Sequence, residues 1–130
     1  MAKASPVTVD DQLKKLPSEV RPLMVAARKV LMAAAPGAVE IPYNSTRPHN
    51  PSTMWKLARY AVNGEDVAGI GTFTKHSTIY FYRGRELDDG SGMLQGGGKD
   101  MRFITVREPS DVERPAVKQV IRRAFALAAG

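Results

Sequence analysis

Three segments of the chain place apolar residues at the spacing of an amphipathic helix. Residues 19–35 repeat apolar side chains every three to four positions and are followed by Pro36 and Gly37, which predicts a helix that ends there. Residues 7–16 predict a shorter helix, with Thr8 as its N-cap. A last helix is predicted to start at Pro115, because the apolar residues that follow recur at the same period: Val117, Val120, Ile121, Ala124, Phe125 and Ala128.

The residues between these helices are rich in side chains that favour β-strands. They predict five strands, at residues 39–43, 54–62, 67–74, 78–82 and 101–107. Asn63 and Gly64 predict a tight type I′ turn between the second and third strands. The fourth strand has the highest strand propensity, and we expect it at the centre of the sheet. Consecutive strands between terminal helices predict an α+β fold, in which helices cover one face of an antiparallel sheet.

Length and composition are those of one globular domain. The chain has 130 residues, of which 43% are hydrophobic and 25% charged, and we expect a single domain over residues 1–130. The absence of cysteine excludes a disulfide framework, a thiolate nucleophile and a zinc ribbon. No apolar run reaches the roughly 18 to 20 residues needed to span a bilayer, and the first residues lack an apolar signal segment. We therefore expect a cytoplasmic protein with no membrane partner.

The net charge of +6 favours anionic partners. The basic residues are scattered along the chain. The most regular set is Arg114, Lys118 and Arg122, whose spacing predicts one stripe along the last helix. That stripe is either a solvated helix face or a surface that contacts phosphates.

A glycine-rich loop joins the last two predicted strands. Residues 83–100 include six glycines, three of them directly before Lys99. Glycine N–H groups and a lysine can cradle an anion. The spacing is not that of a P-loop, since Met93 and Asp100 occupy the positions that the motif reserves for glycine and for serine or threonine. The loop is thus either a tight connection or a generic anion site.

The sequence holds little catalytic machinery. Neither of its two histidines, His49 and His76, is paired by spacing with a nucleophile, and we predict a protein that is not an enzyme. If the strands bring His76 beside Asp88 and Asp89, these side chains would form a mixed histidine and carboxylate iron site.

Aromatic residues are concentrated in the predicted strands. Because strand side chains alternate between faces, Ile79 and Phe81 should point to one side and Tyr80 and Tyr82 to the other. If the helices cover one face only, the aromatic residues of the uncovered face could stack on a base or hold an apolar ligand. Core or dimer packing is the alternative use.

Residues 74–112 resemble the YdhG-like family, bacterial domains of unknown function that are related to frataxin-like proteins. In that family a turn with histidine precedes a strand that ends in an aromatic residue, and a loop of the form Leu-x-Gly-x-Gly-Lys-x-Met-Arg leads into the next strand. The chain's opening residues, 11–17, also resemble the family, and residues 44–58 would be a longer, Pro-rich insertion. The matching loop positions are His76, Tyr82, Gly84, Leu87, Asp89, Leu94, Gly96, Gly98, Lys99, Met101 and Arg102.

The resemblance implies a fold, a location and a cargo. The fold is a YdhG-like, frataxin-like two-layer sandwich of about five antiparallel strands, with the N-terminal and C-terminal helices on one face, in the cytoplasm. Members have been linked to intracellular iron delivery, as in frataxin, where acidic residues of the first helix and the neighbouring strand carry the metal. Carried over to this chain, the metal candidates are Asp10, Asp11 and Glu19.

Two hypotheses of function follow. The first is a small, non-enzymatic, cytoplasmic binding protein with iron as its cofactor or cargo. The second is an anion or nucleic-acid binding module that uses Arg83, Lys99, Arg102 and the stripe of the last helix, with nucleic acid or an anionic metabolite as partner. A monomer or a homodimer fits either one. The ligand-binding residues expected for the first hypothesis are His76, Tyr82, Arg83, Asp89, Lys99 and Arg102.

Overall fold

The computed structural model describes residues 8–44 and 46–129 as an α+β fold with one five-stranded sheet. The helices are α1 (Val9–Lys14), α2 (Arg21–Ala34), α3 (Gly84–Leu87) and α4 (Pro115–Ala129), with a 3-10 helix at Pro109–Glu113 before α4. The strands are β1 (Val39–Pro42), β2 (Trp55–Val62), β3 (Glu65–Thr72), β4 (Ser77–Phe81) and β5 (Arg102–Val106). In the described ranges, every helix is too short or too polar to cross a membrane.

Helices α1 and α4 begin where the sequence predicts. The Asp11 backbone N–H donates to Thr8 Oγ1 at 3.0 Å, and the Thr8 N–H donates to Asp11 Oδ2 at 3.3 Å, which forms a capping box. The predicted α1 also included Val7, which lies outside the described residues. Helix α4 begins at Pro115, as its spacing predicts, because a proline lacks only an N–H that the first turn leaves unpaired.

The five strands pair antiparallel in chain order, β1-β2-β3-β4-β5. The central strand is therefore β3, and the prediction that the fourth strand is central was wrong. High strand propensity at β4 reflects burial, since all five of its residues are buried, and not its place in the sheet order. Asn63 (φ 53°) and Gly64 (φ 79°) both adopt the positive φ of a type I′ turn between β2 and β3, which confirms that prediction.

The helices pack against one face of the sheet and form the core with it. Sheet residues Ile70, Ile79 and Phe81 belong to the same buried cluster as Leu31 of α2 and Ile121 of α4. We call the opposite face of the sheet the open face. The cross-strand register assigns Arg59, Gly69, Tyr80 and Phe103 to it.

Two local elements were not predicted. Residues 83–100 were expected to form a loop only, yet they contain α3, which places the buried Leu87 in the core. The 3-10 helix before α4 is capped by Glu108 and Asp111, whose carboxylate Oδ2 accepts the Glu108 N–H at 3.1 Å. The proposed Pro-rich insertion, 44–58, is also shorter in the fold, because Trp55 already begins β2.

Candidate binding site on the open face of the sheet

The six predicted ligand-binding residues do not form one site. His76 precedes β4, whereas Tyr82 and Arg83 follow it, so the five residues of β4 separate them. At about 3.3 Å per residue, that strand keeps them roughly 15 Å or more apart. The His76 ring stacks on Phe73, with 4.8 Å between ring centroids. Burial, and then the positive charge of Arg107, lower the pKa of His76 below its usual value.

The same separation rules out the mixed iron site of His76 with Asp88 and Asp89. Asp88 lies beside Arg102 at the start of β5, with 3.7 Å between Asp88 Oδ2 and Arg102 Nε. His76 lies next to Ser77, which pairs with Val106 at the other end of β5. In the part of the chain that the structure describes, no three histidine or acidic side chains are grouped as metal ligands.

Arg83 is held by acidic and backbone groups of the protein. Its guanidinium donates to both carboxylate oxygens of Glu86, at 2.6 and 2.9 Å. It also donates to Glu65 Oε2 and to the Leu127 carbonyl, each at 3.3 Å. The guanidinium thereby joins β3, α3 and the end of α4, which is a structural role.

The glycine-rich loop folds around Arg102. The Arg102 guanidinium donates to the carbonyl oxygens of Gly98 (2.6 Å) and Met101 (2.9 Å). Asp89 accepts the Ser91 N–H at 2.9 Å in a turn of the loop, and Lys99 is exposed. Arg102 and Asp89 thus shape the loop, and Lys99 is the one of these three that stays free to meet a ligand.

The three metal candidates, Asp10, Asp11 and Glu19, have different structural environments. Asp10 forms an ion pair with Arg28, at 2.8 Å between Oδ1 and Nη1, and Asp11 caps α1. Glu19 is an exposed residue between α1 and α2. Two of the three carboxylates therefore already have partners in the fold.

The basic stripe and Arg83 lie on different sides of α4. Lys118 and Arg122 line a groove with Lys29 of α2. Arg83 lines a separate groove with Arg123. Arg83 and the stripe of the last helix therefore do not form one continuous anion surface.

Instead, three tyrosines meet on the open face: Tyr43 directly after β1, Tyr80 on β4 and Tyr82 directly after β4. The Tyr43 and Tyr82 hydroxyls are 3.2 Å apart, and the rings of Tyr80 and Tyr82 meet edge to face, with 5.8 Å between centroids. Tyr43 and Tyr82 are half-buried, so each presents part of its ring to solvent. The prediction that Tyr80 and Tyr82 share the face opposite Ile79 and Phe81 is confirmed.

Tyr80 lies flat across the sheet because Gly69 has no side chain. The two residues are cross-strand partners, and a Cβ at position 69 would overlap Cζ and Oη of Tyr80. A glycine inside a strand is typical of such a close approach. Arg59 continues the same cross-strand row on β2. Tyr80 is only 3% exposed, and its hydroxyl has no hydrogen-bond partner among the described residues.

The cationic groups of Arg59 and Lys56 lie close to the Tyr43 ring. Arg59 Cζ is 5.4 Å and Lys56 Nζ is 5.7 Å from the ring centroid, which is the range of a cation–π interaction. Arg59 Nε is also 3.2 Å from Asp66 Oδ1, so its charge is partly compensated. Lys56 is exposed and has no ion pair among residues 8–44 and 46–129.

These neighbours shift the pKa values of the three tyrosines in different directions. Burial alone would raise the pKa of Tyr43, but the hydrogen bond with the Tyr82 hydroxyl and the positive charge of Lys56 are among the causes that lower it overall. Burial, with Tyr43 close by, raises the pKa of both Tyr80 and Tyr82. Tyr43 is therefore the most acidic phenol of the cluster.

Sequence reasoning missed Tyr43, Lys56, Arg59 and Asp66 as site residues. The alternation of β4 pointed to Tyr80 and Tyr82, but β2 does not alternate regularly. The register shifts between Lys56 and Ala58, which leaves Leu57 unpaired and places Lys56 and Arg59 on the same face despite their odd spacing. The glycines of β3 were the signal that a ring could lie across that strand.

Comparisons of the chain with protein-family models, with curated proteins and with solved structures find no match.

Proposed function

We propose that this protein is a non-enzymatic binding protein that takes an anionic ligand with a planar ring onto the open face of its sheet. The observation that carries the proposal is the pair of half-buried tyrosines, Tyr43 and Tyr82, whose hydroxyls lie 3.2 Å apart beside the cations of Lys56 and Arg59.

The chemistry of the cluster fits an oxyanion joined to a ring. Phenol hydroxyls and the guanidinium of Arg59 are hydrogen-bond donors for a phosphate or a carboxylate. The half-buried rings of Tyr43 and Tyr82 offer surfaces on which a planar group can stack. A nucleotide, a short single strand of nucleic acid and an aromatic acid all carry both features, and the net charge of +6 attracts each of them.

A binding role suits this site better than a catalytic one. His76 stacks on Phe73 beyond the N-terminal end of β4, and among residues 8–44 and 46–129 no nucleophile with an adjacent base lies at Tyr43. Lys99 and Arg102, the anion candidates of the glycine-rich loop, are not needed by this proposal. The iron binding implied by the family resemblance stays a prediction, with Asp10 engaged by Arg28.

The proposal is tested by direct binding to the purified protein. A dye-labelled twelve-residue oligothymidine is titrated by fluorescence anisotropy at 50 mM salt. Nucleotides and aromatic carboxylic acids are screened in parallel by thermal shift, because a ligand of the native state raises the melting temperature. We expect at least one of these probes to bind, with at least tenfold loss of affinity in Arg59→Ala and in Tyr82→Phe.

Lys75→Ala is the matched control. It removes one exposed positive charge from the turn between β3 and β4, away from the tyrosines, and should leave affinity within twofold. If Lys75→Ala and Arg59→Ala lose affinity equally, net charge alone explains the loss and the proposed site is wrong. If no probe binds the unmodified protein, the proposed function is wrong.

A further inference from the structure

A second surface lies on the helix layer, where α2 and α4 run side by side. The groove between them is lined by Lys29, Val30, Ala33 and Ala34 of α2 and by Lys118 and Arg122 of α4, with Glu113 at one end. Small side chains form the α2 wall, so the groove is shallow and open. It belongs to the face of the helices and shares no residue with the tyrosine cluster of the sheet.

The charged residues of these two helices are all basic. Residues 21–34 and 115–129 contain six arginines and lysines and no acidic residue. Arg21 donates to the carbonyls of Leu13, Lys14 and Leu16, and Arg28 is paired with Glu40 and Asp10. These two α2 arginines are therefore committed to the fold.

The cations of the groove itself are largely uncompensated. Lys118 Nζ is 3.1 Å from Glu113 Oε2, which leaves that lysine neutralised. Among the described residues, Lys29 and Arg122 have no ion pair. They project from different helices onto one groove, so a partner that carries two carboxylates could meet both at once.

An apolar strip runs beside these charges. Val25 is 47% exposed and Met32 is 36% exposed, and both belong to the few large hydrophobic residues that the described surface exposes. Val25, Lys29 and Met32 are spaced i, i+4 and i+7, so they lie on one face of α2, just outside the groove that Lys29 borders. Apolar residues that flank a cationic groove are typical of helix recognition rather than of phosphate binding.

We propose that the α2–α4 groove is the docking surface for an acidic amphipathic helix of a partner protein. The apolar face of that helix would cover Val25, Met32 and the alanines, and its carboxylates would pair with Lys29 and Arg122. Charge complementarity selects an acidic occupant, since α2 and α4 offer no acid and Glu113 is already paired. Nucleic acid would bury its phosphates against the exposed Val25 and Met32, which contribute nothing to phosphate binding.

The test uses a synthetic probe and the full-length protein. The probe is a dye-labelled helical peptide of eighteen residues, with leucines on one face and glutamates on the other, titrated by fluorescence anisotropy at 50 mM salt. A second peptide has the same composition in scrambled order. We expect the amphipathic peptide to bind at least tenfold more tightly than the scrambled one.

Three variants locate the interaction. Lys29→Glu and Arg122→Glu should each weaken binding at least tenfold, and Val25→Ser should weaken it severalfold, while circular dichroism confirms that each variant folds. Lys75→Glu makes the same charge change far from the groove and should leave affinity within threefold. If Lys75→Glu weakens peptide binding as much as Lys29→Glu does, the proposal is overturned, because net charge alone would then explain the affinity.

The other classes of partner are tested in the same assay. Oligothymidine and vesicles of phosphatidylglycerol are titrated against the unmodified protein and Arg122→Glu. Oligonucleotide or vesicle binding that is lost in Arg122→Glu, without peptide binding, would overturn the proposal in favour of that partner. The absence of peptide binding would overturn it as well. Because Arg59 and Tyr82 belong to the other face, their variants should leave peptide affinity unchanged, so this proposal and the proposed function fail separately.

Discussion

The ring of Tyr80 occupies the space that a side chain on Gly69 would fill. The two residues face each other across β3 and β4 in the register of the sheet. A glycine in a strand interior is normally unfavourable, because it buries no side chain and loses much conformational entropy on folding. Here the aromatic ring of the neighbouring strand covers the glycine and compensates for that loss.

Gly69→Ala should therefore displace Tyr80 and open the tyrosine cluster. Overpacking of this kind destabilises a protein by about 1–3 kcal/mol. Urea unfolding followed by circular dichroism measures the loss, and Gly97→Ala is the control, because nothing lies within 4 Å of a Cβ at that position. Tyr80→Ala in the Gly69→Ala background should remove much of the penalty. Additive losses in the double variant would show that the two residues are not in contact.

The strand pattern and its hairpin turn could be predicted because they depend on neighbours in sequence. Antiparallel strands joined by short turns pair in chain order, so five strands and the turn at Asn63 and Gly64 define most of the sheet. The capped starts of α1 and α4 are local in the same way. Helix α3 was missed because Gly84 begins it and no apolar periodicity extends over four residues.

The candidate site could be predicted only in part, because it depends on register. Alternation along β4 placed Tyr80 and Tyr82 on one face. Their contact with Tyr43 and Arg59 requires the bulge at Leu57, and no residue type in the sequence predicts that bulge. The loop residues Asp89 and Arg102 looked available for a ligand by composition, yet turn formation and loop packing occupy both.

The four tyrosines should titrate in a defined order. Tyr43 has a lowered pKa, because the Tyr82 hydroxyl and the charge of Lys56 help to outweigh its burial. Burial, as the first cause, raises the pKa of Tyr60, Tyr80 and Tyr82. Absorbance at 295 nm during a rise in pH should show one early phenolate, and Tyr43→Phe should abolish that first step. If the first step remains in Tyr43→Phe, the assignment of the acidic phenol is wrong.

Glu40 should matter for stability far more than Asp10, although both pair with Arg28. Glu40 accepts two guanidinium hydrogen bonds at 2.8 Å and the Tyr60 hydroxyl at 2.7 Å, with its side chain 14% exposed. The Asp10 side chain is 71% exposed. Glu40→Gln should cost about 2 kcal/mol, because it leaves a half-buried arginine without its main partner. Asp10→Asn should change the free energy of unfolding by less than about 0.5 kcal/mol.

Chemical denaturation at pH 7 compares these two variants directly. Each one removes a single negative charge, so net charge changes equally in both. An Fe(II) titration of Asp10→Asn then examines the metal candidate in a folded protein. Equal destabilisation by the two substitutions would contradict the ranking by burial.

Arg102 should hold the glycine-rich loop in place, whereas Lys99 should not affect it. Arg102→Ala removes the donors to the Gly98 and Met101 carbonyls and should cost about 1–2 kcal/mol. It should also speed hydrogen exchange at Gln95, whose N–H donates to the Phe103 carbonyl at 2.8 Å. Lys99→Ala removes an exposed charge from the same loop and should leave exchange unchanged. Protection of Gln95 that survives in Arg102→Ala would show that other contacts hold the loop.

His76 should make the fold less stable as the pH falls from 7 to 5. Burial and Arg107 lower its pKa below 6.5, so the unfolded chain binds a proton in a range where the folded protein does not. Stability therefore rises with pH between the folded and unfolded pKa values and is lost below that window. His76→Gln removes this contribution, and the difference in unfolding free energy between the unmodified protein and the variant should change between pH 7 and pH 5. A constant difference for His76→Gln would show that His76 binds its proton equally well in the folded and unfolded chains.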